Sequence, residues 1–240
     1  PCAAVALSPE KKERGSTRAQ EGRWPGGGYP SIFHLPGHVT RLRTHSQVRL
    51  LRAHGREWEI GPRIRGRNYS LGMPFHPKAA DDGWFFDFPG PRRADGHVHY
   101  LTRRTAPLDT ARGLRLRYRI DAAPGTRFVA EEHPNETATL SLYFQRAGDR
   151  WTMRTPYHRW YSPSKKVVPL SAGTHTISIA LDEEWIAMAG GSRKTLLADF
   201  DRALAQASSV GFVFGSASGR GHGVYATGPA RFTLLDFKIE

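Results

Sequence analysis

The chain has 240 residues, 39% hydrophobic and 24% charged, with a formal net charge of +13. Its one cysteine, Cys2, excludes an intrachain disulfide and a thiolate metal cluster. No apolar run approaches the roughly 18 residues of a membrane span, so the chain is expected to be soluble.

The charge is uneven. Residues 1–69 hold 13 basic and 5 acidic side chains, against 22 and 17 in residues 70–240. Such an excess attracts nucleic acid or anionic surfaces by counterion release. No zinc-finger spacing, basic zipper or RNA-recognition motif accompanies it, so nucleic acid is a minor partner and a solvated basic tail is the plainer reading. Ser8-Pro9, Trp24-Pro25 and Gly61-Pro62 interrupt this stretch, and between residues 39 and 60 the apolar positions keep neither a 3.6 nor a 2.0 period. Residues 1–67 are therefore expected to be mostly disordered, with one domain over residues 68–240. The run Pro1-Cys-Ala-Ala-Val-Ala-Leu7 is compatible with a signal-peptide remnant, which slightly favours an extracellular or periplasmic location.

From Asn68 onward the pattern is that of strands. Residues 84–88 form a short aromatic strand closed by Pro89-Gly90, and residues 97–103 form a second. Residues 114–120 alternate Leu114, Leu116, Tyr118 and Ile120 with Arg115, Arg117 and Arg119, so one face is buried and the other presents guanidinium groups. Residues 138–145 repeat the alternation, and Ala147-Gly148-Asp149 is expected to turn the chain into a hairpin strand over residues 151–154. His175, Ile177, Ile179 and Leu181 share the next face, followed by residues 184–187. Residues 194–207 carry a helical stripe of Leu196, Leu197, Phe200, Leu204 and Ala207, and strands at 210–214 and 230–239 close the chain. Strands separated by Gly/Pro turns, with one short helix late in the order, predict an all-β antiparallel β-sandwich rather than a βαβ fold.

The closing run Val210-Gly-Phe-Val-Phe-Gly215, a glycine-rich loop, and then Ala230-Arg-Phe-Thr-Leu-Leu-Asp-Phe-Lys-Ile239 resemble the end of galactose-binding-like jelly-roll domains, a way of closing shared by many carbohydrate-binding modules. The stretch 68–240 also resembles uncharacterised bacterial proteins carrying a Trp84-Phe-Phe-Asp-Phe-Pro89 strand and a Gly219-Arg-Gly-His-Gly-Val-Tyr225 loop, with no assigned activity to transfer. The jelly-roll resemblance implies carbohydrate binding, and a structural calcium ion near the last strand with Asp236 as the candidate ligand. Calcium takes about six to eight oxygens, and only this one carboxylate is identified.

Four constellations carry candidate chemistry. His97 and His99, two apart on a strand, point to one face and are placed to share a metal. The pair resembles the His-x-His of cupins, but Tyr100, Leu101, Thr102 and Arg103 follow where an acidic ligand is expected, so structural histidines are the plainer reading. The loop at 219–225 offers Arg220, His222 and Tyr225 on a backbone that glycine lets approach a ligand closely. Trp151, Tyr157, Trp160 and Tyr161 supply aromatic faces for sugar rings, and Arg154, His158 and Arg159 beside them supply donors for hydroxyls or a uronate, with a role in the core as the alternative for the aromatics. Glu131, Glu132 and Glu136, and separately Asp182, Glu183 and Glu184, read mainly as solvated loop charge.

Non-catalytic polysaccharide or oligosaccharide binding by a jelly-roll module is thus the leading expectation. The alternatives are a polysaccharide lyase or glycoside hydrolase on the same scaffold using His97, His99, His222, Tyr225 or Arg220, and a structural or interaction domain with a basic tail. The ligand site is expected where the His97/His99 strand, the 157–161 segment and the 219–225 loop meet.

Overall fold

The structure is a computed structural model and describes residues 55–240. In chain order its strands are β1 (Trp58–Gly61), β2 (Arg63–Ile64), β3 (Arg67–Asn68), β4 (Lys78–Ala80), β5 (Gly83–Asp87), β6 (Tyr100–Arg104), β7 (Gly113–Ala122) and β8 (Phe128–Ala130). There follow β9 (Thr139–Arg146), β10 (Arg159–Tyr161), β11 (Val168–Pro169), β12 (Gly173–Ala180), β13 (Ile186–Ala187), helix α1 (Leu197–Ala205), β14 (Ala207–Gly215), β15 (Val224–Ala226) and β16 (Ala230–Ile239).

Two antiparallel sheets face each other. The larger runs β1-β6-β14-β9-β10-β13 with β11 also on β9, and the smaller runs β12-β7-β16-β5-β4. Take β5, β6, β7, β9, β10, β12, β14 and β16 as eight consecutive strands: the first pairs with the eighth, the second with the seventh, the third with the sixth and the fourth with the fifth. That nesting of two Greek keys is a jelly roll.

The alternating side chains of both sheets meet in one aromatic core. Trp84 of the smaller sheet stacks 6.4 Å from Phe212 of the larger, Phe212 lies 5.2 Å from Phe232, and Phe86 meets Phe214 edge-on at 5.9 Å. Buried aromatics of this kind contribute roughly 1.5–3 kcal/mol each. Helix α1 buries Phe200, Ala203 and Leu204, and Phe200 meets Phe144 and Trp160 edge-on at 5.6 and 5.0 Å. Trp58, Trp84, Trp160 and Trp185 are each 2% exposed or less.

Three expectations are corrected. The sandwich does not start at Asn68: β1 pairs residue for residue with β6, and Trp58 and Ile60 lie in the core because they alternate with Glu57 and Glu59. The rest of the segment expected to be disordered, residues 1–54, lies outside the described residues. The hairpin partner of β9 is β10, not residues 151–154. Those residues turn instead, because Asp149 Oδ1 accepts the Trp151 N–H at 2.7 Å and Thr152 Oγ1 accepts the Arg154 N–H at 3.3 Å, in place of sheet bonds. Finally, His97 and His99 precede β6 and flank an isolated bridge between Val98 and Val224.

Candidate functional site

The outer face of the larger sheet carries a second cluster, polar and aromatic, that the core does not use. In β9, Leu140, Leu142 and Phe144 belong to the core, which turns Ser141, Tyr143 and Gln145 outward. Strand register then builds rows across this face. Glu59, Thr102, Gly211, Tyr143 and Tyr161 form one, and Arg104, Ser209, Gln145 and Arg159 form the next. Gly211 is decisive in the first row. A Cβ there would lie 1.9 Å from the Leu101 carbonyl oxygen, and without a side chain on β14 the Tyr143 hydroxyl reaches over to hydrogen-bond Thr102 Oγ1.

Tyr100, Tyr143, Tyr161 and Val213 are buried together on this outer face, with Trp151 and Met188 packed on them. The Tyr100 and Tyr161 hydroxyls are 2.6 Å apart. Burial pushes the Tyr100 and Tyr143 hydroxyls above their ordinary pKa, so both stay protonated.

What covers the cluster is the turn at residues 147–158, held by one buried ion pair. Asp149 Oδ2 accepts the Arg159 Nε–H at 3.0 Å and lies 2.8 Å from Nη2, with both side chains 6% exposed or less. The Arg159 guanidinium sits 4.3 Å from the Trp151 ring centroid and 5.9 Å from that of Tyr100. The other Asp149 oxygen holds the Trp151 N–H, which fixes Trp151 in the left-handed region at φ 61°, a conformation a bulky residue adopts only when its surroundings impose it. Its indole meets Tyr100 edge-on at 4.8 Å and remains partly exposed. Beside it opens a cleft of about 260 Å³, lined by Glu59, Thr102, Arg104, Gln145, Asp149 and Trp151 among others.

The three segments expected to meet do so in part. His99 Nδ1 lies 2.8 Å from the Gly221 carbonyl, which only accepts, so the proton is on Nδ1 and Nε2 is a buried lone pair with no partner among the described residues. Burial lowers the His99 pKa to about 4. Gly221 in turn lies against the Tyr100 ring, where a Cβ would come 2.3 Å from its hydroxyl. Arg220 donates to the Ser162 carbonyl at 2.6 Å and to Ser164 Oγ at 3.0 Å, tying the glycine loop to the end of β10. The loop and the His99 segment thus border the tyrosine cluster at its edge, and Tyr161 is inside it.

The other expected residues are elsewhere. Trp160 is fully buried in the core, because its register partner Phe144 faces inward, and it is no sugar platform. Tyr157 packs against the same core and lends its carbonyl to the Trp160 indole N–H. Arg159 is the buried clamp described above rather than an open donor. His222 pairs with Glu132 at 2.5 Å on the surface, and Tyr225 pairs with Val129 in the β15/β8 ribbon. His97 lies 3.8 Å from Glu131, and its ring centroid is 4.5 Å from that of His99.

With His99 Nδ1 committed to Gly221, the two imidazoles gain no third ligand, and among the described residues no group of three or more His, Cys, Asp or Glu side chains is placed to hold an ion. Asp236 sits opposite Arg117 across the sheet and 3.4 Å from Lys238, cations where calcium would require more carboxylates. A bulge between Leu234 and Asp236 lets Leu234 and Phe237 both turn inward, so the expected pairing of Leu235 with Phe237 on one face is replaced. The acidic runs have structural roles as well: Glu136 accepts from Ser218 Oγ at 2.6 Å, and Glu184 accepts from Ser192 Oγ at 3.0 Å.

No protein-family model matches the chain, and no curated protein matches it. Among solved structures it is similar to a carbohydrate-binding module specific for non-crystalline cellulose, CBM28, at 11% identity and a TM-score of 0.40, covering 77% of this chain and 87% of that one. It is similar also to the xylan-binding module CBM15, at 16% identity and a TM-score of 0.34 over 75% and 92% of the two chains. A third is a mutant of Xylanase10C from Cellvibrio japonicus in complex with xylopentaose, at 15% identity and a TM-score of 0.36, over 75% of this chain and 27% of that one. At such TM-scores these likenesses carry no argument, and the jelly roll rests on the strand pairing described above.

Proposed function

We propose that the outer face of the larger sheet binds a segment of a polysaccharide or oligosaccharide without reacting with it. The observation that carries this reading is Trp151, a partly exposed indole held in a left-handed conformation by a buried ion pair, at the edge of a polar cleft. A flat aromatic face packs on the C–H face of a sugar ring, while Thr102, Gln145 and Glu59 supply the mixed donors and acceptors that hydroxyl groups require. Proton transfer finds little support at this face. Tyr100 and Tyr143 are buried and raised in pKa, and His99 is held neutral with a pKa far below neutrality.

The test is a glycan-array screen of the chain followed by calorimetry of any hit with Trp151→Ala. Loss of one aromatic contact weakens binding by about 0.5–1.5 kcal/mol, read per folded molecule because the ring also packs on Tyr100 and Arg159. Absence of binding to any glycan by folded protein, or full affinity in Trp151→Ala, would reject the reading.

A further inference from the structure

Among the described residues the two sheets have four edges, of which three are short: β1 has 4 residues, β4 has 3 and β13 has 2. The fourth, β12, has 8, paired with β7 along its whole length without a bulge. Its sequence, Gly173-Thr-His-Thr-Ile-Ser-Ile-Ala180, contains no proline, lysine, arginine or carboxylate. Those are the devices that keep exposed edges from pairing, and here they are missing.

The hydrogen-bond phase shows which backbone groups are open. Gly113 exchanges bonds with Glu240, and Ala123 donates to Pro229, so the odd-numbered residues of β7 face β16 and the even ones face β12. Leu114, Leu116 and Tyr118 therefore bond Ile179, Ile177 and His175. The backbone groups of Thr174, Thr176, Ser178 and Ala180 point the other way. Those of Ala180 are satisfied: its N–H donates to Glu183 Oε1 at 3.1 Å, and its carbonyl accepts from the Trp185 indole at 2.9 Å. Those of Thr174, Thr176 and Ser178 have no partner among the described residues, and all three side chains are exposed.

We propose that this edge pairs with the same edge of a second copy of the chain, antiparallel, about a twofold axis at Thr176. Thr176 then faces Thr176 of the second copy and Thr174 faces Ser178, so hydroxyl meets hydroxyl on the outer face, a favourable cross-strand match. On the inner face His175 meets Ile177, and no like charges are opposed on the paired strands. The nearest cation rows, Arg115, Arg117 and Arg119, lie one strand further in. Arg117 of one copy is then three strand spacings from its counterpart, about 14 Å, beyond the screening length of about 8 Å at physiological salt.

Sedimentation velocity of the full chain across micromolar to submillimolar concentration tests this, with amide exchange read in parallel. A dimer is expected, with the Thr174, Thr176 and Ser178 amides protected. Thr176→Lys places two ammonium groups at the axis without touching the core, and is expected to weaken dimerisation at least about tenfold and to expose those amides, with an unchanged circular dichroism spectrum. A wild-type monomer throughout, or a dimer that Thr176→Lys leaves intact, overturns the proposal. Protection of the three amides in a monomer overturns it too, by assigning the edge to another segment of the same chain.

Discussion

Replacing Asp149 by alanine strikes the clamp under Trp151 at its centre. The carboxylate accepts the Trp151 N–H at 2.7 Å, the Thr155 hydroxyl at 3.3 Å and the Arg159 Nε–H at 3.0 Å, and lies 2.8 Å from Nη2 in a fully enclosed site. Removing one partner leaves a guanidinium buried with no counter-ion, a loss of about 3–5 kcal/mol. At about 2–4 °C per kcal/mol for a domain of this size, the melting temperature falls by roughly 6–20 °C. Urea unfolding gives the free energy directly. The double variant Asp149→Ala/Arg159→Met removes the stranded charge and keeps apolar bulk under the indole, so it is expected to be more stable than Asp149→Ala alone. A single variant within about 1 kcal/mol of wild type, a typical cost of one ordinary hydrogen bond, or a double variant no more stable than the single, would refute the clamp.

Two further outcomes follow from burial. Trp160→Ala empties a fully enclosed site against Phe200 and is expected to cost about 3–5 kcal/mol in urea unfolding, with glycan affinity per folded molecule unchanged; full stability would place the ring outside the core. His99 has a folded pKa of about 4 against an ordinary 6.5, chiefly through burial, so the unfolded chain takes up a proton that the native ring refuses. Its contribution is complete above about pH 6.5 and is lost as the pH falls toward 4, in total about 3 kcal/mol. Unfolding free energies from pH 7.5 to 4 should therefore fall less steeply in His99→Asn than in wild type; equal slopes would contradict this.

The long strands were legible because alternation over eight or ten residues leaves one choice of face, as in β7 and β9, whereas in β16 the bulge between Leu234 and Asp236 breaks the alternation. Tyr143 belongs to the same signal: with Leu142 and Phe144 inward it had to point out. Adjacent aromatics defeat that logic. Trp160 and Tyr161 face opposite ways, and only pairing with Phe144 and Tyr143 decides which ring enters the core. Trp58 and Ile60 did carry a signal, alternating with Glu57 and Glu59, but four residues beside Gly61-Pro62 were too few to stand out from a basic, irregular stretch. The Asp149–Arg159 clamp had none. Two opposite charges ten residues apart are ordinary in a loop, and their meeting under Trp151 depends on the turns between them.

The placement of the tryptophans has an optical consequence. Trp58, Trp84, Trp160 and Trp185 are sealed in the interior, whereas Trp151 is partly open beside the cleft. Among the described residues, a soluble collisional quencher such as iodide therefore reaches one indole. A sugar laid over that ring would shield it, and the native protein would signal occupancy of its own cleft through the loss of quenching, with no label attached.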